Sequence, residues 1–162
     1  LPRPVLAAAL CLAALSAHAQ DVDAGWRTYG NARFGVWLDY PDVFATADPE
    51  PANGDGRRFR TADGAASLTI YGAYNVNHQS ARELMQAYRT QGVDYAYAQA
   101  GPAWFVLSGT KQGTIGYLRC HLGDGDVVGC FDLEYPKADR LRWDPIVARL
   151  SRGLRLRPVE TR

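Results

Sequence analysis

The chain is short of methionine, with one in 162 residues, and of lysine, which occurs only at Lys111 and Lys137. Arginine therefore carries nearly all the positive charge, a bias from which no chemistry is read. No run of eighteen or more residues stays apolar, which excludes an ordinary membrane-spanning helix. Basic and acidic side chains number 18 and 17, so the chain has neither a polybasic nucleic-acid arm nor an acidic tail. No segment repeats and none is low in complexity. Signatures of chemistry are missing too. Neither Ser67 nor Ser108 sits in a G-x-S-x-G elbow, and no cysteine pair has the two-residue spacing of a redox or zinc motif. Asp124-Gly125-Asp126 lacks the oxygen count and the downstream glutamate of a calcium loop. Against these absences stand five phenylalanines, nine tyrosines and four tryptophans in a chain that is 47% hydrophobic and 22% charged. That composition supports a packed core of one ordinary domain.

Residues 1–19 read as a cleaved signal peptide. Arg3 supplies the positive start, an apolar run extends from Val5 to Leu15, and Ala17 and Ala19 give the small-x-small pattern of a peptidase site. The run is too short to span a bilayer, and no stop-transfer pattern follows; an uncleaved amino-terminal anchor is the alternative reading. Cys11 follows Leu10 rather than a small residue, so lipidation is disfavoured and Cys11 leaves with the leader. Without these nineteen residues, which hold one basic side chain and no acidic one, 143 remain, with 17 basic against 17 acidic. The expected location is periplasmic or secreted, with residues 20–24 a flexible lead and 25–158 one domain.

Two cysteines remain, Cys120 and Cys130. Strand-like runs on either side of Gly123-Asp124-Gly125-Asp126 predict a hairpin, because Gly and Asp tolerate the positive φ of a tight reversal. A three-residue loop at Asp124-Gly125-Asp126 makes facing residue numbers sum to 250 and sets Cys120 opposite Cys130, within disulfide reach. An exported chain oxidises such a pair.

The rest reads as strand, helix, meander, helix. Trp26 to Tyr29 and Phe34 to Tyr40 are strands, the second with Phe34, Val36, Leu38 and Tyr40 on one face. Residues 42–56 form a loop with one helical turn around Val43-Phe44, and Arg57 to Thr61 and Ala65 to Tyr71 form a hairpin. Ser80-Ala81-Arg82-Glu83 is a capping box, opening a helix with Ala81, Leu84, Met85 and Tyr88 on one stripe and Gly92 at its end. Val93 to Tyr97, Ala103 to Lys111, Thr114 to His121 and Val127 to Tyr135 alternate as strands. Asp144 as N-cap and Pro145 as first helical residue start a second helix, with Ile146, Val147 and Leu150 inward and Gly153 at its end. Leu154 to Arg157 adds an edge strand. The fold class is α+β, an antiparallel sheet flanked by helices as an α/β/α sandwich.

Phe34-Gly-Val-Trp-Leu-Asp-Tyr-Pro41, the Gly101-Pro-Ala-Trp104 turn, the meander and Asp144-Pro-Ile-Val-Ala-Arg149 together resemble the Mog1/PsbP-like fold over roughly residues 25–156. Asn53-Gly-Asp-Gly-Arg-Arg-Phe59 with Ala62-Asp-Gly-Ala-Ala-Ser67 is similar to a group of exported bacterial proteins. The resemblance implies an antiparallel sheet sandwiched by helices and protein binding rather than catalysis. Known relatives include an extrinsic photosystem subunit and a binder of a small nuclear GTPase, partners that do not carry over to an exported bacterial protein.

Candidate site residues follow from two features. Trp37 points away from the Phe34, Val36 and Leu38 face, and with Tyr95, Tyr97 and Trp104 it could form an exposed patch for a protein or glycan; burial of all four under helices is the competing reading. Tyr74, Asn75, Asn77 and His78 lie in a polar loop before the capped helix and could face a ligand. In the opposing reading Asn77 and Ser80 satisfy backbone groups while His78 is solvated. His121 is expected exposed beside the disulfide. The sequence thus points to a non-catalytic module that binds an envelope protein, with no cofactor and no metal. A small-molecule or glycan binder and an unrecognised hydrolase are the alternatives.

Overall fold

A computed structural model describes residues 25–158. Residues 1–24, the expected signal peptide and lead, lie outside the described residues. Ten strands and two helices follow in the order β1 (Trp26–Asn31), β2 (Val36–Pro41), β3 (Thr46–Ala47), β4 (Gly56–Arg60), β5 (Ser67–Tyr74), α1 (Ala81–Ala87), β6 (Asp94–Ala100), β7 (Trp104–Lys111), β8 (Thr114–Leu122), β9 (Val127–Pro136), α2 (Arg140–Gly153) and β10 (Arg155–Leu156). The strands divide into a seven-stranded sheet, β3-β4-β5-β9-β8-β7-β6, and a three-stranded sheet, β1-β2-β10. All pairings are antiparallel. The α+β class holds, and the one-sheet expectation gives way to two sheets. Among the described residues the short β1–β2 hairpin pairs only with β10, and it packs face-on against β5.

Two cores result. Between the sheets lie Phe34, Val36, Leu38 and Tyr40, with Leu68, Ile70, Phe131 and Leu133 and with Trp143, Ile146 and Leu150 of α2. On the other face of the large sheet, Ala81, Leu84 and Met85 of α1 cover Phe105, Leu107, Cys120, Val128 and Cys130. Period-two alternation sorts the strands: odd residues of β9 face the first core and even residues the second.

What seats the small sheet is a gap in the large one. Gly72 and Gly129 are directly paired across β5 and β9. A Cβ on Gly72 would lie 2.3 Å from Phe34, and one on Gly129 would lie 2.3 Å from Leu156 and 2.8 Å from Val36. The two glycines leave a trough that these side chains fill.

The hairpin register is as expected, Cys120 facing Cys130 and His121 facing Gly129. The cysteines are bonded, their Cα atoms 4.1 Å apart, and both are fully buried. The capping box at Ser80 and Glu83 also forms. Two helix boundaries differ. The first helix stops at Ala87 rather than near Gly92, because Tyr88 turns inward against Phe105 and the Thr90 amide donates to the Tyr95 hydroxyl. The second starts at Arg140, after a 3-10 turn at Lys137–Asp139, so Asp144 pairs with Arg140 at 3.4 Å instead of capping and Pro145 lies inside the helix. Burial outweighs the proline: Trp143, 2% exposed, packs on Phe44 and Tyr135 and holds the extra turn.

Candidate functional site

The eight candidate residues fall into separate places. Sheet pairing first splits Tyr95 from Tyr97, which simple alternation puts on one face. A bulge between them pairs Tyr95 with Gly109 and Tyr97 with Ser108, so Tyr95 faces α1 and Tyr97, 44% exposed, faces away from it. On that far face, cross-strand pairs line up Trp104 with His121 and Val106 with Arg119.

The polar loop is mostly self-satisfied. Buried Asn75, rather than Asn77, ties the turn: its amide donates to the Gln79 carbonyl at 2.8 Å and its side-chain oxygen accepts from the Gln79 amide at 2.9 Å. Asn77 is exposed. His78, expected solvated, has an exposed ring whose Nδ1 lies 2.9 Å from the Asp126 carboxylate. Ser80, the nearest hydroxyl in sequence, donates to Glu83 at 2.7 Å within the capping box. A His–Asp pair is therefore present, while the serine beside it is committed to the helix start.

Trp104, Tyr74 and the surroundings of Trp37 come together in an open groove of about 910 Å³ between β7, β8 and the carboxyl-terminal strand. Its lining includes Arg33, Trp104, Arg119, His121 and Arg157. The Arg119 guanidinium stacks on Trp104 at 5.1 Å and Arg157 on Trp37 at 4.7 Å. Trp37 is half-buried rather than fully exposed or fully covered, lying against Gly30. Tyr74, 52% exposed, packs edge-on against Phe34 at 4.9 Å. His121 is half-buried, not exposed; burial first, and the neighbouring Arg119 second, push its pKa down, and it takes a hydrogen bond from Arg119 Nε at 3.1 Å. Arg33 pairs with Asp55 and Arg155 with Asp39, whereas Arg119 and Arg157 have no acidic partner among the described residues.

A second recess lies under the carboxyl end of α1, about 570 Å³, holding Tyr95 of the candidate set. Tyr71, Tyr88 and Tyr95 wall it, and Leu107, Leu118 and Gly116 pave it. Asp132 and Glu134 of β9 project into it. Burial, aided by Glu134 and opposed by Arg58, pushes the Asp132 pKa up to about 6. Glu134 accepts from Arg58 and from Ser67, each at 3.2 Å, while the described residues give the Asp132 carboxylate no hydrogen bond. Burial also raises the pKa of the Tyr71 and Tyr88 phenols.

Sequence reasoning passed over Asp132, Arg119 and Arg157. A signal for Asp132 exists: it shares a strand face with Cys130, so the inference that buries the disulfide also puts a carboxylate on a covered face. A signal for Arg119 exists in the β7–β8 register, which sets it diagonally across from Trp104 on one face; for Arg157 none exists, since its position depends on the docking of the carboxyl-terminal strand.

The two-sheet plan is that of the PsbP-like fold. The chain is similar to the solution structure of cyanobacterial PsbP (CyanoP) from Synechocystis sp. PCC 6803, with a TM-score of 0.63 and 12% identity over 83% of this chain and 94% of that one. At that identity the likeness is one of fold. No family model matches the sequence, and no curated protein matches it significantly.

Proposed function

We propose that the protein is an exported, non-catalytic interaction module of the bacterial envelope that holds a partner protein by an acidic segment laid in the arginine–aromatic groove. One observation carries this reading: Arg119 and Arg157 stand along the groove, each stacked on a tryptophan and neither neutralised by a described carboxylate. Stacking keeps both guanidinium groups extended; Arg119 spends its Nε on His121, while the terminal N–H groups of Arg119 and Arg157 have no acceptor among the described residues, a geometry matched to carboxylates. The leader-like residues 1–19 and the buried disulfide support export to an oxidising compartment. The PsbP-like fold supports an accessory role. The hydrolase alternative loses ground because Ser80, beside the His78–Asp126 pair, serves the capping box. The glycan alternative loses ground because the aromatic set is divided among separate surfaces.

The test is site-specific photocrosslinking in intact cells, with the photoreactive side chain replacing Ala103 in the groove or, as a control, Gln86 on the exposed face of α1. The expected result is an adduct from the groove position alone, lost in the Arg119→Glu/Arg157→Glu double variant and weakened by salt. Equal adducts from both positions, or an adduct indifferent to the charge reversal, would refute the groove.

A further inference from the structure

The recess under α1 takes no part in the groove, which lies on the opposite face of the large sheet, and its chemistry is different. Three tyrosines, Tyr71, Tyr88 and Tyr95, line one volume of about 570 Å³. The floor is apolar at Leu107 and Leu118 and open at Gly116, where a Cβ would meet nothing within 4 Å. One carboxylate, Asp132, stands in that floor without a hydrogen-bond or ion-pair partner among the described residues.

We propose that this recess is a binding site for a small organic ammonium cation, with Asp132 as its counter-charge and the tyrosine faces as its cage. Asp132 is half-buried, and a carboxylate that has lost part of its water without gaining a donor favours a charged group that comes to it. The neighbouring charged groups make contacts other than to Asp132. Glu134 is held by Arg58 and Ser67, and Lys111 at the mouth donates to the Gln91 carbonyl at 3.3 Å. Electron-rich ring faces attract cations, and Tyr95 already does so on the rim, where the Arg89 guanidinium lies 4.8 Å from its ring centre. An anion would meet Asp132 and Glu134, and a neutral apolar guest would leave Asp132 unpaired. A cation with methyl or methylene groups satisfies both walls and floor. Because the Asp132 carboxyl has its pKa raised to about 6 by burial, with Glu134 adding to the shift and Arg58 opposing it, occupancy should fall as pH drops through that value.

The probe is choline, with 3,3-dimethyl-1-butanol as its uncharged isostere, titrated into the purified protein by calorimetry. Choline is expected to bind saturably, at least about tenfold more tightly than the isostere. Asp132→Asn should weaken it by about tenfold or more and flatten its pH dependence between about 5 and 8. Gly116→Val, which fills the open floor from a strand position suited to valine, should abolish binding while the melting temperature is retained. Equal affinity for the isostere, full affinity in either variant with the fold intact, or no saturation by about 20 mM choline would each overturn the proposal. None of these outcomes touches the crosslinking of the groove, so the two readings fail separately.

Discussion

At the scale of single residues, Asp132 is the most consequential group in the fold. Its carboxyl binds a proton more tightly in the folded chain, with a pKa of about 6, than at its ordinary value of 3.8. Such a group adds stability while it is protonated, below about pH 4, and the contribution is lost as pH rises through about 6. Asp132→Asn, which keeps the shape without the charge, is therefore expected to exceed the wild type in stability at pH 8 by up to about 3 kcal/mol and to match it near pH 4. Thermal melts of both proteins at the two pH values decide this; parity at both would mean that the carboxylate is solvated. His121 runs the other way. Its depressed pKa adds stability above the ordinary histidine range that is lost as pH falls through the folded value.

At the scale of elements, the β8–β9 hairpin joins sequence logic and tertiary chemistry most directly. A three-residue loop sets the register, the register sets Cys120 opposite Cys130, and the bond staples the two strands beneath α1. The chain-entropy estimate for so short a loop is on the order of 2 to 3 kcal/mol. Replacing both cysteines with alanine should cost at least that much in urea-unfolding stability, since two buried sulfurs also lose their packing; a change under about 0.5 kcal/mol would contradict a structural role. Thiol counting in denaturant gives the complementary result: none from Cys120 or Cys130, and one in any chain that still carries Cys11. The helices show where such local logic stops. Pro145 and Gly92 mark boundaries by propensity, yet Trp143 and Tyr88 move both boundaries because each large ring gains more from burial than the local signal offers.

At the scale of the whole molecule, two sheets meet over paired glycines. Gly72→Ala and Gly129→Ala each force a methyl group into Phe34 or into Leu156 and Val36, and each is expected to cost about 1 to 3 kcal/mol by overpacking. Gly116→Ala, on the same sheet but facing open space, should remain within about 0.5 kcal/mol of the wild type. Denaturant melts of the three variants compare them, and equal losses would mean that the trough does not seat the small sheet. The α+β class, the alternation of the strands, the capping box and the cysteine pairing were all legible in the amino-acid order, because each depends on contacts a few residues apart or on a period of two. The division into two sheets was not, since β1–β2 can be told from a continuation of one sheet only by what it packs on. Nor was the dispersal of the aromatic set. A single bulge turned Tyr97 away from Tyr95, and docking of the last strand brought Arg157 to Trp37. Local order thus determined which faces of each strand are apolar and which cysteines meet. Long-range packing alone decided which polar groups share a recess, because Asp132, Tyr71 and Tyr95 are neighbours only across strands that the chain reaches far apart in sequence.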